Sequence, residues 1–339
     1  MKLYNIAILG ATGSVGLEML KILEERDLPI KNLYLFASKK SSGKIINYRG
    51  EKILVQELNE KSFISQNEKI DIVLSALSNE LSKKFLPIAV KENIFVIDNS
   101  SAFRLNDDVP LIIPEVNAID IKNHKNLVSN PNCATIIALV AINNLHKYAN
   151  VNSMIVSTYQ AVSGAGIKGI EELDNQVMQI SNNLEITKSC FNKQIAFNII
   201  PQIGDFNDLG YSSEEMKLQN EGRKILNNPN LKVNCTCVRI PVYRSHSESI
   251  TLYFDREISV KKAEEILKDS EGIKFIENLD IPTPLDATNQ DLVLVGRLRK
   301  NILSDDDKSL TLFCVGDQLR KGAAGNAIDI LQLYINELK

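Results

Sequence analysis

The chain has 339 residues, 44% of them apolar, enough to bury two ordinary cores, so two domains are expected. Its net charge of -3 and the lack of any Lys/Arg block exclude nucleic acid as the main partner. No apolar run reaches the roughly 18 residues of a membrane span, Met1-Lys2-Leu3 leads into a strand rather than a signal segment, and five cysteines without framework spacing fit a reducing, cytoplasmic setting.

Leu3 to Leu9 reads as a short buried strand, followed by Gly10-Ala11-Thr12-Gly13-Ser14-Val15-Gly16 and a helix carrying Leu17, Leu20 and Leu23. Strand, glycine turn and helix are the context of a dinucleotide fingerprint, here spaced G-x-x-G-x-x-G. Its glycines let a pyrophosphate approach the backbone, and the helix N-terminus offers N–H donors to it. A plain structural turn is the alternative. The second strand, Leu33 to Ala37, does not end in the carboxylate that would bind the ribose 2′-hydroxyl of NAD. Ser38-Lys39-Lys40-Ser41-Ser42-Gly43-Lys44 follows, with hydroxyls and cations suited to a 2′-phosphate, which favours NADP over an ordinary solvated loop.

Asp71 to Leu77 reads as the next buried strand, a helix runs from Ser78 to about Asn93, and Ile94 to Ile97 is a further strand ending in Asp98-Asn99-Ser100-Ser101-Ala102-Phe103-Arg104. Polar residues at the carboxyl end of a sheet strand sit where open α/β folds bind ligands. Arg104, the only arginine between positions 50 and 222, is a candidate anion clamp or a surface partner of Asp107 or Asp108. The alternation of strands and helices to about residue 130 is that of a doubly wound parallel sheet.

In Ser129 to Ala141, the turn Asn130-Pro131-Asn132 precedes an apolar helix that opens at or beside Cys133. The positive end of the helix dipole favours a thiolate there, and thiolate is the nucleophilic form. The same N–H groups could hold an oxyanion formed on an attacked carbonyl. A small apolar residue packed under a turn is the other reading of Cys133.

Met154 to Thr158 reads as a strand leading to Tyr159-Gln160-Ala161-Val162-Ser163-Gly164-Ala165-Gly166, where glycines permit close approach. In the polar, mostly helical stretch that follows, Ser213 is placed as the cap of a helix reaching Leu226, with Glu214 and Lys217 on one face. Val233 to Val242 and Ile250 to Phe254 are strands, and His246 lies between them among hydroxyls, an arginine and a carboxylate, a setting for proton exchange. Alternation puts Arg239 on the face of Cys235 and Cys237, awkward for a charge unless a carboxylate or ligand meets it. Those two cysteines read as packing, since no second Cys/His pair stands at metal-ligand spacing and no metal is expected. Leu310 to Val315 is a last strand, and the helix Ala327 to Leu338 is expected to return to the first domain to cover its apolar face.

Six segments in order, GATGSVG, NSSAFR, SNPNCAT, YQAVSGAG, EEMK with RIPVYRSHSES, and GDQLRKGAAGNA, resemble the aspartate-β-semialdehyde dehydrogenase family from Gly10 to Asn326. The resemblance implies an α/β chain with an N-terminal Rossmann-like doubly wound sheet and an α+β catalytic and dimerisation domain with a mixed sheet. Residues 1–130, completed by a C-terminal helix at 322–339, would bind NADP, and 131–321 would carry catalysis and a homodimer contact. It further implies that Cys133 is the nucleophile, His246 the acid/base with a pKa useful near neutrality, and Gln160 the residue that orients the intermediate. Arg239 would hold the substrate carboxylate, Glu214 the amine, and Arg104 with Lys217 the phosphate. Gly10, Thr12, Gly13, Ser14, Val15, Lys40, Ser41, Ser163, Gly164 and Gln318 would contact NADP. Lys40 stands where relatives often have arginine, which softens the preference for NADP over NAD. The implied activity is NADPH-dependent conversion of 4-aspartyl phosphate to aspartate semialdehyde with release of inorganic phosphate, in the synthesis of lysine, diaminopimelate, methionine and threonine. Two alternatives stand beside it: an N-acetyl-γ-glutamyl-phosphate reductase, whose family typically has glycine where this chain has Asn132, and a non-catalytic NADP sensor.

Overall fold

Every residue of the first strand, β1 (Tyr4–Leu9), is buried, which requires cover on both faces of its sheet. Ile6 and Ile8 face one core with Met19, Ile22 and Leu23 of helix α1 (Ser14–Glu25), while Ala7 and Leu9 face a second. The chain continues through β2 (Ile30–Ala37), β3 (Ile45–Tyr48), β4 (Glu51–Glu57), β5 (Ile72–Ser75), α2 (Asn79–Lys91), β6 (Phe95–Asp98), a short α3 (Pro114–Asn117) and β7 (Leu127–Ser129). Helix α2 covers the second core with Phe85, Leu86 and Ala89.

The strand order is β3-β4-β2-β1-β5-β6-β7, all parallel except the antiparallel edge strand β3. Without β3 this is the order of a dinucleotide-binding doubly wound sheet, with its switch point between β1 and β5. The structure, a computed structural model, describes residues 2–64, 66–277 and 280–337, so Met1 and the expected helix end at Leu338 and Lys339 lie outside the described residues.

The chain divides into two compact units, Met1–Asn132 with Ala323–Lys339, and Cys133–Gly322. The last helix, α9 (Gly325–Glu337), belongs to the first unit, where Ile328, Ile330, Leu331 and Ile335 join the core under α1.

The second unit begins with α4 (Cys133–Ala149), apolar over most of its surface and buried along most of its length. There follow β8 (Val151–Gln160), α5 (Ile167–Ser181), α6 (Ser213–Ile225), β9 (Lys232–Arg239), β10 (His246–Phe254), α7 (Val260–Lys268), β11 (Ile273–Phe275), a short α8 (Pro284–Ala287), β12 (Val293–Lys300) and β13 (Ser309–Gly316). They form a mixed sheet ordered β11-β12-β13-β10-β8-β9, with β8/β9 and β11/β12 parallel and the other pairs antiparallel. Helix α4 packs on this sheet between α6 and α7.

Several boundaries differ from the sequence reading; β9, for one, ends at Arg239 rather than at Val242. Strand β8 extends from Val151 to Gln160, so Gln160 is its last residue rather than part of the loop. Strand β10 begins at His246, four residues earlier than expected. Helix α6 is capped by Ser212, not Ser213: the Ser212 hydroxyl accepts from Glu215 N and the Glu215 carboxylate accepts from Ser212 N, a reciprocal capping box.

Candidate active site

On the sheet face toward α4, strand register stacks the polar residues in rows. His246 pairs with Gly316, and Gln160 pairs with Arg239. The row below runs Cys314, Glu248, Thr158, Cys237, each opposite the next. Because side chains two apart on a strand share a face, His246 stands directly above Glu248 and Gln160 above Thr158.

Hydrogen bonds fix the upper row. Thr158 donates to Gln160 Oε1 at 3.0 Å, Gln160 Nε2 donates to Glu214 Oε1 at 3.1 Å, and Lys217 Nζ reaches Glu214 Oε2 at 2.8 Å. Glu214 and Lys217 thus form the pair their spacing suggested, but the carboxylate also anchors Gln160. Arg239, only 6% exposed, donates from Nη1 to Ala161 O at 2.6 Å. Burial pulls its proton affinity down, and the charges of Glu214 and then Cys133 oppose this. The ligand-like setting expected for Arg239 is therefore made of a carboxylate, a carbonyl and thiols.

His246 is fully buried, and Nδ1 accepts a hydrogen bond from Ala161 N at 3.1 Å. An acceptor Nδ1 puts the proton of the neutral ring on Nε2. Nε2 has no hydrogen-bond partner among the described residues, and a Cβ at Gly164 would stand 3.4 Å from it. Burial, then the Arg239 guanidinium, pushes this imidazole down to about 3. The imidazole therefore lies below the near-neutral value that would suit an acid/base, because His246 is enclosed at the start of β10 beside a guanidinium.

Cys133 is the first residue of α4 and is partly exposed, not sealed in a core. Gly322 lies against it so closely that a Cβ there would come within 2.8 Å of the Cys133 Cβ. Sequence reasoning missed this contact, as it missed the parts played by Asp317 and Thr158, and it read Glu248 only as the carboxylate near His246. The fully buried Asp317 carboxylate accepts from Arg244 Nε at 2.6 Å, Asn289 N at 2.7 Å, and the backbone of Leu319 and Arg320. Gln318 bridges the Ser163 hydroxyl and the backbone N of Ser245.

The first unit carries the other candidates. Gly10 adopts φ +79°, and a Cβ there would meet Ala76 O at 2.6 Å. A Cβ at Gly16 would be 2.3 Å from Gly10 O, so α1 packs directly on the turn. Gly13, by contrast, is exposed and meets only Gly10 O at 3.4 Å; no side chain caps the helix that starts at Ser14. An open glycine at an uncapped helix N-terminus fits a pyrophosphate, with Thr12, Ser14 and Val15 at its edge. Lys40 and Ser41 lie on a single 3-10 turn after β2, Lys40 exposed and no acidic residue in the turn itself, which fits a 2′-phosphate. Arg104 is 7% exposed and donates to the carbonyls of Asn130 at 2.9 Å and Asn99 at 2.8 Å rather than to Asp107 or Asp108. That turn is braced by Asp98, which accepts from the hydroxyls of Ser82 and Ser100.

Among the described residues no cluster of His, Cys, Asp and Glu could hold a metal, and no helix is long and apolar enough to cross a membrane.

A nucleotide-binding sheet joined to a mixed sheet that carries a helix-opening cysteine defines the class of NAD(P)-dependent semialdehyde dehydrogenases. Residues 5–124 match the semialdehyde dehydrogenase NAD binding domain, and residues 142–321 match the semialdehyde dehydrogenase dimerisation domain. Aspartate-semialdehyde dehydrogenase of Aquifex aeolicus is 44% identical over 341 residues, covering 98% of each chain. The Bacillus subtilis protein of that name is 40% identical over 339 residues, covering 97% of this chain and 96% of its own. A crystal structure of aspartate semialdehyde dehydrogenase II from Vibrio cholerae complexed with ASA is 40% identical and superposes with a TM-score of 0.95 over 99% of both chains. The chain belongs to the aspartate-semialdehyde dehydrogenase family.

Proposed function

We propose that the chain is a phosphorylating, NADP-dependent aspartate-semialdehyde dehydrogenase that works through a Cys133 thioester. The observation that carries this reading is a partly exposed thiol at the start of α4 in the unit where Arg239, Gln160, Glu214 and His246 line one end of the sheet. In the biosynthetic direction the sulfur attacks the acyl carbon of 4-aspartyl phosphate and inorganic phosphate departs, leaving the thioester. A thiolate both attacks and leaves well, so the same atom serves acylation and aldehyde release. NADPH, when bound, supplies the hydride.

The chain's own groups divide the remaining work. Arg239 holds the α-carboxylate and Glu214 the amine, while Gln160, tied to Thr158 and Glu214, fixes the acyl group. Arg104 and Lys217 are the cations this reading assigns to phosphate. His246 presents Nε2–H, so it acts first as a donor to the oxygen on which negative charge grows. To act as a base the ring would take a proton on Nδ1, which opposes the Ala161 N–H. Gly10, Thr12, Gly13, Ser14 and Val15 would hold the pyrophosphate, Lys40 and Ser41 the 2′-phosphate, and Ser163, Gly164 and Gln318 the nicotinamide end.

Association of two copies is part of the reading. The sheet face away from α4 shows Ile155 and Tyr159, 47% and 37% exposed, with Phe313 near Tyr159. Cytoplasmic residence is supported by five cysteines, none in a disulfide.

The test is phosphate-dependent NADP reduction with aspartate semialdehyde, for the native chain and Cys133→Ala. The expected result is turnover that needs phosphate and vanishes in the variant. Turnover that survives the substitution, or that ignores phosphate, rejects the proposal.

A further inference from the structure

Ser245, the residue before His246, has φ +73°, a left-handed conformation that side chains other than glycine adopt at a cost. It is fully buried, so solvent does not help to hold it. Two neighbours do. Ser245 N donates to Gln318 Oε1 at 2.6 Å, and its hydroxyl meets Thr288 Oγ1 at 2.9 Å. Gln318 is itself fixed, 2% exposed and donating from Nε2 to the Ser163 hydroxyl. The residue beside it, Asp317, accepts from the side-chain Nε of Arg244 at 2.6 Å. Two consecutive residues beyond β13 therefore clamp the two consecutive residues that lead into His246. Downstream, His246 pairs with Gly316 and its ring accepts from Ala161 N, so any change at Ser245 is passed directly to the imidazole.

We propose that Gln318 is a positioning residue for His246: its amide oxygen holds Ser245 in the left-handed conformation that aims Nε2–H at the space beside Gly164. The inference rests on the donor role given to His246 above and assigns Gln318 a duty separate from any contact with the cofactor. Strain at a functional site persists only where the surroundings over-determine it, and of the two contacts on Ser245 it is the Gln318 amide oxygen that holds the backbone itself. Without the acceptor Ser245 relaxes, and the Ala161 N–H bond that selects the Nε2–H tautomer is lost with it. Glycine at 245 removes the steric penalty, since it adopts positive φ readily. The second change therefore compensates the first.

The experiment uses the full chain labelled with 15N, without cofactor, and reads the His246 ring nitrogens by long-range 1H–15N correlation, with His246→Asn to identify the signals. The native chain should give one neutral Nε2–H tautomer. Gln318→Met, which fills the space without the acceptor, should give averaged tautomers and a kcat lower by at least tenfold. Gln318→Met with Ser245→Gly should recover the single tautomer and most of the lost kcat, and Gln318→Glu, which keeps an acceptor, should retain the tautomer. An unchanged tautomer in Gln318→Met overturns the proposal, as does an averaged tautomer that Ser245→Gly does not restore, which would mean that Gln318 does not act through the Ser245 backbone. If His246→Asn keeps native turnover, the role given to His246 falls, while the tautomer spectra still decide what holds the ring.

Discussion

Substituting Gly322 by alanine tests whether the Cys133 sulfur must be held in one place. A methyl group at 322 would lie 2.8 Å from the Cys133 Cβ and 3.2 Å from its Cα. Ordinary carbon contacts are about 3.5–4.0 Å, so the turn and the first residue of α4 must separate by roughly 0.7–1.2 Å. Overpacking of this kind costs on the order of 1–3 kcal/mol of stability, which a chain of this size survives. The functional cost is larger in proportion, because a shift of about 1 Å in a reacting group lowers rates by roughly a hundredfold, near 2.7 kcal/mol of barrier. The expected outcome is a kcat about a hundredfold lower with the far-ultraviolet spectrum intact and the KM for NADP within about threefold. Rapid-quench measurement of Cys133 acylation locates the loss in the chemical step. A Gly322→Ala chain that keeps native kcat would refute the reasoning, for it would mean that the sulfur tolerates displacement or that the turn yields at no cost to it.

Three further outcomes follow from the same geometry. His246→Asn removes a group whose folded pKa is about 3 against 6.5 unfolded. That contribution is complete above pH 6.5 and is lost as pH falls toward 3, at about 1.4 kcal/mol per unit. Urea unfolding should therefore show the variant gaining on the native chain between pH 6 and 4, and parallel curves would count against a neutral imidazole. Glu248 is the opposite case, since burial, then Cys237 and Glu214, raise its carboxyl, and both oxygens lack a partner among the described residues. Its folded state keeps a proton that the unfolded state releases above about 4.5, so stability falls as pH rises, and Glu248→Gln should raise Tm at pH 7 but not at pH 4; an equal gain at both would point to packing instead. Gly164→Ala would bring a methyl within 2.6 Å of Arg239 Nη1, and the KM for aspartate semialdehyde should rise about tenfold or more; an unchanged KM would remove Arg239 from the carboxylate role.

What the sequence conveyed and what it hid have physical causes. Strands β1, β5 and β6 are covered on both faces, so they read as unbroken apolar runs, and the glycine turn is set by local backbone needs that a short motif carries. The antiparallel edge strand β3 and the pair β11 and β12 went unread because they are short or change from apolar to cationic midway, as Val293–Lys300 does. The Ser212 cap was legible: only Ser212 has a glutamate three residues on, whereas Ser213 is followed there by Met216. Gln318 with Ser245, Gly322 with Cys133, and the tie from Thr158 through Gln160 to Glu214 could not be read, since each joins residues far apart in sequence through side-chain atoms.

The late start assigned to β10 shows why a site can hide inside a regular element. In His246-Ser247-Glu248-Ser249-Ile250 the inward positions are His246, Glu248 and Ile250, and only the last is apolar. The strand alternates throughout, but two of its inward side chains belong to the polar rows rather than to the core, so a search for apolar period-2 signal begins at Ile250. The same substitution recurs on the neighbours, with Thr158 and Gln160 closing β8, Cys237 and Arg239 closing β9, and Cys314 and Gly316 closing β13. Strands β8, β9 and β13 spend their last two inward positions, and the antiparallel β10 its first two, on polar or small side chains, and the candidate site at this end of the sheet is built where those positions coincide. The rows below supply the apolar packing that holds them, with Ile250 beside Val156 and Leu312. The polar end is thus a property of four strands in register, and a one-residue slip in β10 would turn His246 and Glu248 to the opposite face together.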